Sequence, residues 1–133
     1  CITYGDGLSN VDITSLLKYH KKHKKILTVT GVRPPGRFGE IEFNSNNLIT
    51  EFNEKPQTTE GRISGGFFAT NKKIFGYLNN DENLIFENDP IKKMVLDSEM
   101  MLFKHDGFWH PMDTNRDYIY LNSLYNSGKA PWL

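Results

Sequence analysis

The run Ile26-Leu27-Thr28-Val29-Thr30-Gly31-Val32 restricts this chain more than any other stretch. It is near-continuously apolar and β-branched, the pattern of a central strand covered on both faces and not of a strand with one wet side. From Asn10 to Lys25, just before it, Ile13, Leu16, Leu17 and His20 fall at helical spacing, Asp12 is placed to cap, and lysines crowd the far end. Cys1-Ile2-Thr3 reads as a strand ahead of that helix. Strand, helix and strand make a βαβ unit, so an α/β fold is expected, with a mixed sheet flanked by helices.

The rest of the chain fits that class. Glu40-Ile41-Glu42-Phe43 alternates, the turn-rich Asn44-Ser45-Asn46-Asn47 follows, and Leu48 to Phe52 forms the second arm of a predicted hairpin that ends at Pro56. Ile63 to Thr70 reads as a strand interrupted by Gly65-Gly66. Asn71 is expected to cap a short helix through Leu78, and Asp89 to cap a helix from Pro90 to Leu96. Met100 to Lys104 and Phe108 to Met112 read as two strands around the turn dipeptide Asp106-Gly107. A last helix is expected to start at Asp113 or Thr114, with Ile119, Leu121, Leu124 and Tyr125 as its apolar positions and Gly128 as its stop.

A chain of 133 residues fits one domain. Lys and Arg number 16, as do Asp and Glu, so the net charge is zero and no long-range field favours nucleic acid or an anionic membrane. No apolar run approaches the roughly 20 residues needed to span a bilayer. The lone cysteine, Cys1, fits a reducing compartment, and the cytoplasm is the expected location. The chain opens on a strand with no initiator Met, which predicts the C-terminal part, here residues 1–133, of a longer protein.

Several residues invite chemistry. Asp6 lies between Gly5 and Gly7 at the carboxyl end of a strand, where open α/β sheets place ligands, although an ordinary Asp-Gly turn explains it as well. Asp113 follows a strand and precedes a helix, where a simple N-cap also accounts for it. Together they are more informative, because Mg2+ keeps much of its water and takes only one or two protein carboxylates while bridging phosphate oxygens. Lys55, beside Glu54 and held by Pro56, can place an ammonium on a phosphate monoester while Glu54 accepts from hydroxyls. Gly65-Gly66 weakens a strand and needs a compensating reason, either a bulge or a ligand lying on the backbone. Gly36-Arg37-Phe38-Gly39 is either a plain loop or a wall for a polar ligand. The cationic run Lys21 to Lys25 complements a helix C-terminus. His20, His23, His105 and His110 lack zinc-like spacing and are assigned to no metal.

Taken in order, Tyr4-Gly5-Asp6-Gly7, Pro34-Pro35-Gly36-Arg37-Phe38-Gly39, Glu54-Lys55-Pro56, Ile63-Ser64-Gly65-Gly66-Phe67-Phe68, Phe108 through Asp117 and Ser127-Gly128-Lys129-Ala130-Pro131-Trp132 resemble the sugar-phosphate nucleotidyltransferases. In that order they are similar to the C-terminal half of the glucose-1-phosphate cytidylyltransferases, the last two motifs pointing to the cytidylyl branch. The resemblance implies a Rossmann-like, glycosyltransferase-A-like fold and a reaction joining a nucleoside triphosphate, here CTP, to a sugar 1-phosphate, here glucose 1-phosphate, with release of pyrophosphate. It implies that Asp6 and Asp113 hold Mg2+, that Lys55 grips the sugar phosphate, and that Gly39, Glu54 and Gly66 line the sugar. Glu87 and Asp89 match an acidic segment to which no role is given. Ser64 stands where the family usually has Asn, and His110 where Gln is common. The family's glycine-rich, Arg- and Lys-containing triphosphate loop has no match, so the chain is expected to be inactive alone and to join a homo-oligomer within a longer protein, which the apolar ending Pro131-Trp132-Leu133 favours. The alternative is a non-catalytic module for sugar-phosphate binding or oligomerisation. A metal-dependent glycosyltransferase is disfavoured, since no Asp-x-Asp occurs.

Overall fold

A buried strand at the centre of the sheet organises everything else. The computed structural model describes residues 1–34, 36, 40–53 and 61–133, with the backbone alone described across 40–43 and 51–53. The elements are β1 (Ile2–Thr3), β2 (Gly7–Ser9), α1 (Ile13–His23), β3 (Leu27–Val32), β4 (Glu40–Phe43), β5 (Ile49–Asn53) and β6 (Ile63–Thr70), then a 3-10 helix (Lys72–Tyr77), α2 (Asp89–Leu96), β7 (Met100–His105), β8 (Trp109–Pro111) and α3 (Asn115–Asn126). A four-stranded sheet has the order β1-β6-β3-β7; β2 pairs with β8 and β4 with β5 in two-stranded ribbons. β3 is parallel to β7, whereas β6 is antiparallel to both β3 and β1. The sheet is mixed, as expected, and β6 lies between the two strands of the βαβ unit.

β3 is covered on both faces. On one, Leu27 packs with Phe68, Ile26, Ile74 and Met94, bringing in the 3-10 helix and α2. Removing Leu27 and Phe68 from water contributes about 1.5–3 kcal/mol each. On the other, α1 lays Leu16 and His20 against the sheet. His20 Nδ1 and His23 Nε2 both reach Thr28 Oγ1, at 2.8 and 2.7 Å. A hydroxyl has one proton to give, so one ring accepts and the other donates. α1 starts where Asp12 accepts from Ser15 N at 2.9 Å and Ser15 Oγ at 2.6 Å, bonds that hold its carboxyl below the usual range.

Gly65-Gly66 forms a bulge. Across β3 and β6 the partners jump from Val29↔Phe68 to Gly31↔Ser64, leaving extra residues on β6. Gly66 has φ +77°, and a Cβ at Gly65 would stand 2.6 Å from Val32 Cγ1. Both positions therefore exclude a side chain.

The two strands expected around Asp106-Gly107 both form, β7 in the large sheet and β8 paired with β2, while two later expectations, on α2 and α3, are corrected. Asp106 is drawn aside by Arg62 Nη2 at 2.6 Å and Arg33 Nε at 3.2 Å, and its carboxyl is lowered chiefly by the Arg62 bond. α2 has Asn88 at its N-cap with no side-chain cap bond, and Asp89 is already its first residue. On α3 only Leu121 is buried, while Ile119 and Tyr125 are 60% and 58% exposed. Ile119 lies about 200° round the helix from Leu121, off the docked face. Gly128, at φ +68°, does stop α3, with Gly128 N donating to Tyr125 O and Lys129 N to Leu124 O. Trp132 packs on Phe108 at 5.4 Å between centroids, leaving Leu133 as the exposed end. No helix among the described residues is long and apolar enough to cross a membrane.

Candidate active site

The site forms where the first strand changes partners. β1 pairs with β6 through Ile2↔Phe68 and Thr3↔Phe67, and Tyr4 N donates to Gly66 O at 3.0 Å. The chain then bends at Gly5-Asp6, and Gly7, Leu8 and Ser9 align antiparallel with Pro111, His110 and Trp109. Asp6 sits on the bend between two sheets. Its carbonyl accepts from Met112 N at 2.7 Å, so Asp6 lies opposite the residue preceding Asp113. The two acidic positions, remote in sequence, meet at one end of the β2–β8 ribbon.

Capping does not account for Asp113. The N-cap of α3 is Thr114, whose Oγ1 accepts from Asp117 N at 3.2 Å, while Asp117 Oδ2 accepts from Thr114 N at 3.0 Å and from Thr114 Oγ1 at 2.8 Å. Asp6 and Asp113 are both exposed, and neither carboxylate accepts a hydrogen bond from a described residue. Asp117, by contrast, is held below the usual carboxylate range, first by Thr114 and then by His110.

Backbone lines the neighbouring surface. Trp109 Nε1 donates to Gly65 O at 2.8 Å, tying the bulge of β6 to β8. A Cβ on Gly7 would lie 3.4 Å from Trp109 Nε1 and 3.6 Å from Gly65 O, so the acidic bend, the bulge and the indole are in contact. Tyr4 lies against Gly66 and Phe68, and its hydroxyl donates to Glu87. At the far ends of β3 and β7, Arg62 Nη1 donates to Gly31 O and His105 O, each at 3.0 Å, joining the two parallel strands.

Of the residues singled out in the sequence, Asp6 lies beside Met112, the neighbour of Asp113, and Gly66 lies on β6 against Tyr4, two residues from Asp6. Gly39, Glu54 and Lys55 lie outside the described residues. Sequence reasoning gave no role to Trp109 or to Asp117, although Thr-x-x-Asp at the head of a helix marks a capping box. Glu87 acquires a partner, Tyr4, that no local pattern signals. The histidines serve the frame: His20 and His23 on Thr28, His105 Nε2 on Ser9 Oγ at 3.2 Å, and His110 Nε2 on Asp117 Oδ1 at 3.0 Å.

Among the described residues no group of three or more His, Cys, Asp or Glu is arranged to hold a metal ion. The donors at the bend are two exposed carboxylates, a hard oxygen set that suits an ion retaining most of its water.

The family described as Nucleotidyl transferase matches residues 1–127. The glucose-1-phosphate cytidylyltransferase of Salmonella typhimurium is 42% identical over 130 residues, covering 98% of this chain and 50% of that protein. A Bacillus subtilis protein assigned as a glucose-1-phosphate cytidylyltransferase is 36% identical over 131 residues, covering 98% and 51%. The chain thus spans about half the length of these curated relatives. Among solved structures, a Bacillus anthracis protein assigned as a glucose-1-phosphate thymidylyltransferase, in complex with a sucrose, superposes with a TM-score of 0.59 at 20% identity over 90% of this chain and 51% of that one. HddC from Yersinia pseudotuberculosis gives 0.58 at 18%, over 91% and 52%. These likenesses are of fold, the Rossmann-like arrangement.

Proposed function

Since the chain belongs to the nucleotidyl transferase family, we propose that it supplies the sugar-phosphate and metal side of an enzyme that joins CTP to glucose 1-phosphate and releases pyrophosphate. The observation that carries the reading is the meeting of Asp6 and Asp113 across the Asp6 O to Met112 N bond. The choice of cytidylyl transfer and of glucose 1-phosphate is supported by the names of the relatives at 42% and 36% identity. The attacking atom is a phosphate oxygen of the sugar phosphate, already ionised, so no general base is needed. It attacks the α-phosphorus, and pyrophosphate leaves in line. Protein work then reduces to aligning two polyanions and offsetting their charge.

Each residue has a part in that task. Asp6 and Asp113 are the carboxylates that hold Mg2+, which when bound neutralises charge growing on the phosphate oxygens. Lys55 sets its ammonium on the sugar phosphate, and Gly39, Glu54 and Gly66 line the sugar. Tyr4, anchored to Glu87, and Trp109, anchored to Gly65, keep the acidic bend and the glycine bulge at fixed separation. The chain contains no glycine-rich, Arg- and Lys-containing triphosphate loop, so the second half of the site is supplied from elsewhere in a longer protein. A cytoplasmic setting, suggested by the single free Cys1, and a homo-oligomeric state belong to the same proposal.

Calorimetric titration of the chain with glucose 1-phosphate, with and without Mg2+, tests the reading. Binding that strengthens with the metal supports it. Binding indifferent to the metal overturns it in favour of a non-catalytic sugar-phosphate module.

A further inference from the structure

The connector that bears Asp113 is tied on both sides. Before it, Met112 N donates to Asp6 O at 2.7 Å. After it, Thr114 is held by its backbone N and its hydroxyl, at 3.0 and 2.8 Å, to one oxygen of Asp117. The other oxygen of the same carboxylate lies 3.0 Å from His110 Nε2. One side chain therefore reaches from α3 both to the turn and to β8, closing a loop around Asp113.

We propose that Asp117, steadied by His110, is a positioning residue that holds Asp113 in register with Asp6. This rests on the reading of Asp6 and Asp113 as the carboxylates of a divalent cation. A capping box alone accounts for only half of the contacts. It needs one carboxylate oxygen on the N-cap backbone and favours Glu at this position. The shorter Asp brings its second oxygen to His110, a bond that does nothing for the helix terminus. The pair is sheltered, at 21% and 16% side-chain exposure, so water competes less for it than for the exposed Asp6 and Asp113. The imidazole is fixed in turn by Tyr120 at 4.9 Å and Phe108 at 6.5 Å between centroids, and its backbone is paired with Leu8, two residues from Asp6. The same three elements, β2, β8 and α3, thus set both carboxylates. Without the loop, the connector rotates about Met112 and Asp113, and the second carboxylate no longer faces the first.

Partners that orient a metal-binding side chain change affinity about 10- to 100-fold when removed. The test uses Mn2+ as the probe, with its affinity for the 133-residue chain read by water-proton relaxation and folding checked by circular dichroism. Asp117→Ala and His110→Ala are each expected to weaken Mn2+ binding by about tenfold or more, and His110→Gln, whose amide can donate to the same oxygen, to restore it to within about threefold of wild type. His110→Ala leaves the capping box untouched, so it separates positioning from helix capping and stands in for Asp117→Ala should that variant not fold. In the metal-free chain, the Thr114 amide is expected to exchange with solvent faster in Asp117→Ala than in wild type. Undiminished Mn2+ affinity in either alanine variant, with wild type binding normally, overturns the positioning role alone. Failure of the wild-type chain to bind Mn2+ overturns the acidic pair as a metal site and the positioning role with it.

Discussion

Placing one methyl group on Gly65 tests the junction on which the site is built. An added Cβ would meet Val32 Cγ1 at 2.6 Å, Thr30 O at 3.3 Å and Trp109 Nε1 at 3.4 Å. Val32 is 1% exposed and Thr30 is fully enclosed, so neither neighbour has free volume to move into. Overpacking of this kind costs about 1–3 kcal/mol. Trp109 Nε1 must also retreat from Gly65 O, at 2.8 Å, which forfeits about a further 1 kcal/mol. The expected loss for Gly65→Ala is thus about 2–4 kcal/mol. Spread over a chain of this length, with an unfolding entropy near 2.1 cal/mol/K per residue, that is a fall in Tm of about 7–14 °C. Gly5→Ala is the control, since its Cβ meets nothing within 4 Å and its φ is not positive, and it is expected to leave stability unchanged or to raise it by about 0.4–1 kcal/mol. Urea unfolding of both variants, followed by Trp fluorescence, gives the difference at constant m-value. Gly65→Ala within about 0.5 kcal/mol of wild type refutes the close contact of bulge, β3 and indole.

Asp6→Ala or Asp113→Ala, placed in the longer enzyme proposed above, is expected to reduce turnover by about 10²-fold or more while circular dichroism is unchanged; Mg2+-dependent rates near wild type in either variant contradict the metal assignment. The 133-residue chain alone is expected to form no nucleotide-sugar, and product detected by chromatography contradicts a half-site. Burial depresses the His20 and His23 pKa values, with mutual repulsion adding at His20. The unfolded chain therefore binds protons that the folded chain refuses as pH falls below about 6.5, and stability, complete above that pH, declines toward the folded pKa values. Thermal melts at pH 7.5 and 5.5 are expected to show the loss, with a smaller one in His20→Gln. The lowered carboxyls of Asp12, Asp106 and Asp117 act in a separate, more acid window, where stability falls as they protonate.

How much of this was readable in the sequence follows the reach of each signal. Local periodicity located α1 and β3, because Leu16 and His20 recur one turn apart and β3 carries no wet face. Chain-wide pairing is another matter. Asp106-Gly107 has the composition of a turn, yet its carboxylate is recruited by Arg33, just after β3, and Arg62, just before β6, and β7 and β8 part company there. Gly65-Gly66 announced that a side chain was excluded, but which neighbours exclude it depends on Val32 and Trp109. At Asp113 the local rule offered two candidates for the cap, and the hydroxyl of Thr114 took the role because Asp117 stood at the third helical position to answer it. The bend at Asp6 was marked by its flanking glycines; that it lies opposite Met112, the residue before Asp113, is a property of the β2–β8 register. Lys55, Glu54 and Gly39 rest on the family resemblance.

The claim on which the account turns is that Asp6 and Asp113 serve one divalent cation. Titrating Mn2+ into the 15N-labelled chain measures this most directly, because the paramagnetic ion broadens amide signals in its immediate neighbourhood. The amides of Gly5, Gly7, Met112 and Thr114 are expected to broaden together and first, and in Asp6→Asn the broadening around Met112 and Thr114 is expected to fade along with that around Gly5 and Gly7. Broadening of the two segments at different Mn2+ concentrations, or loss of one without the other in Asp6→Asn, would contradict a shared site.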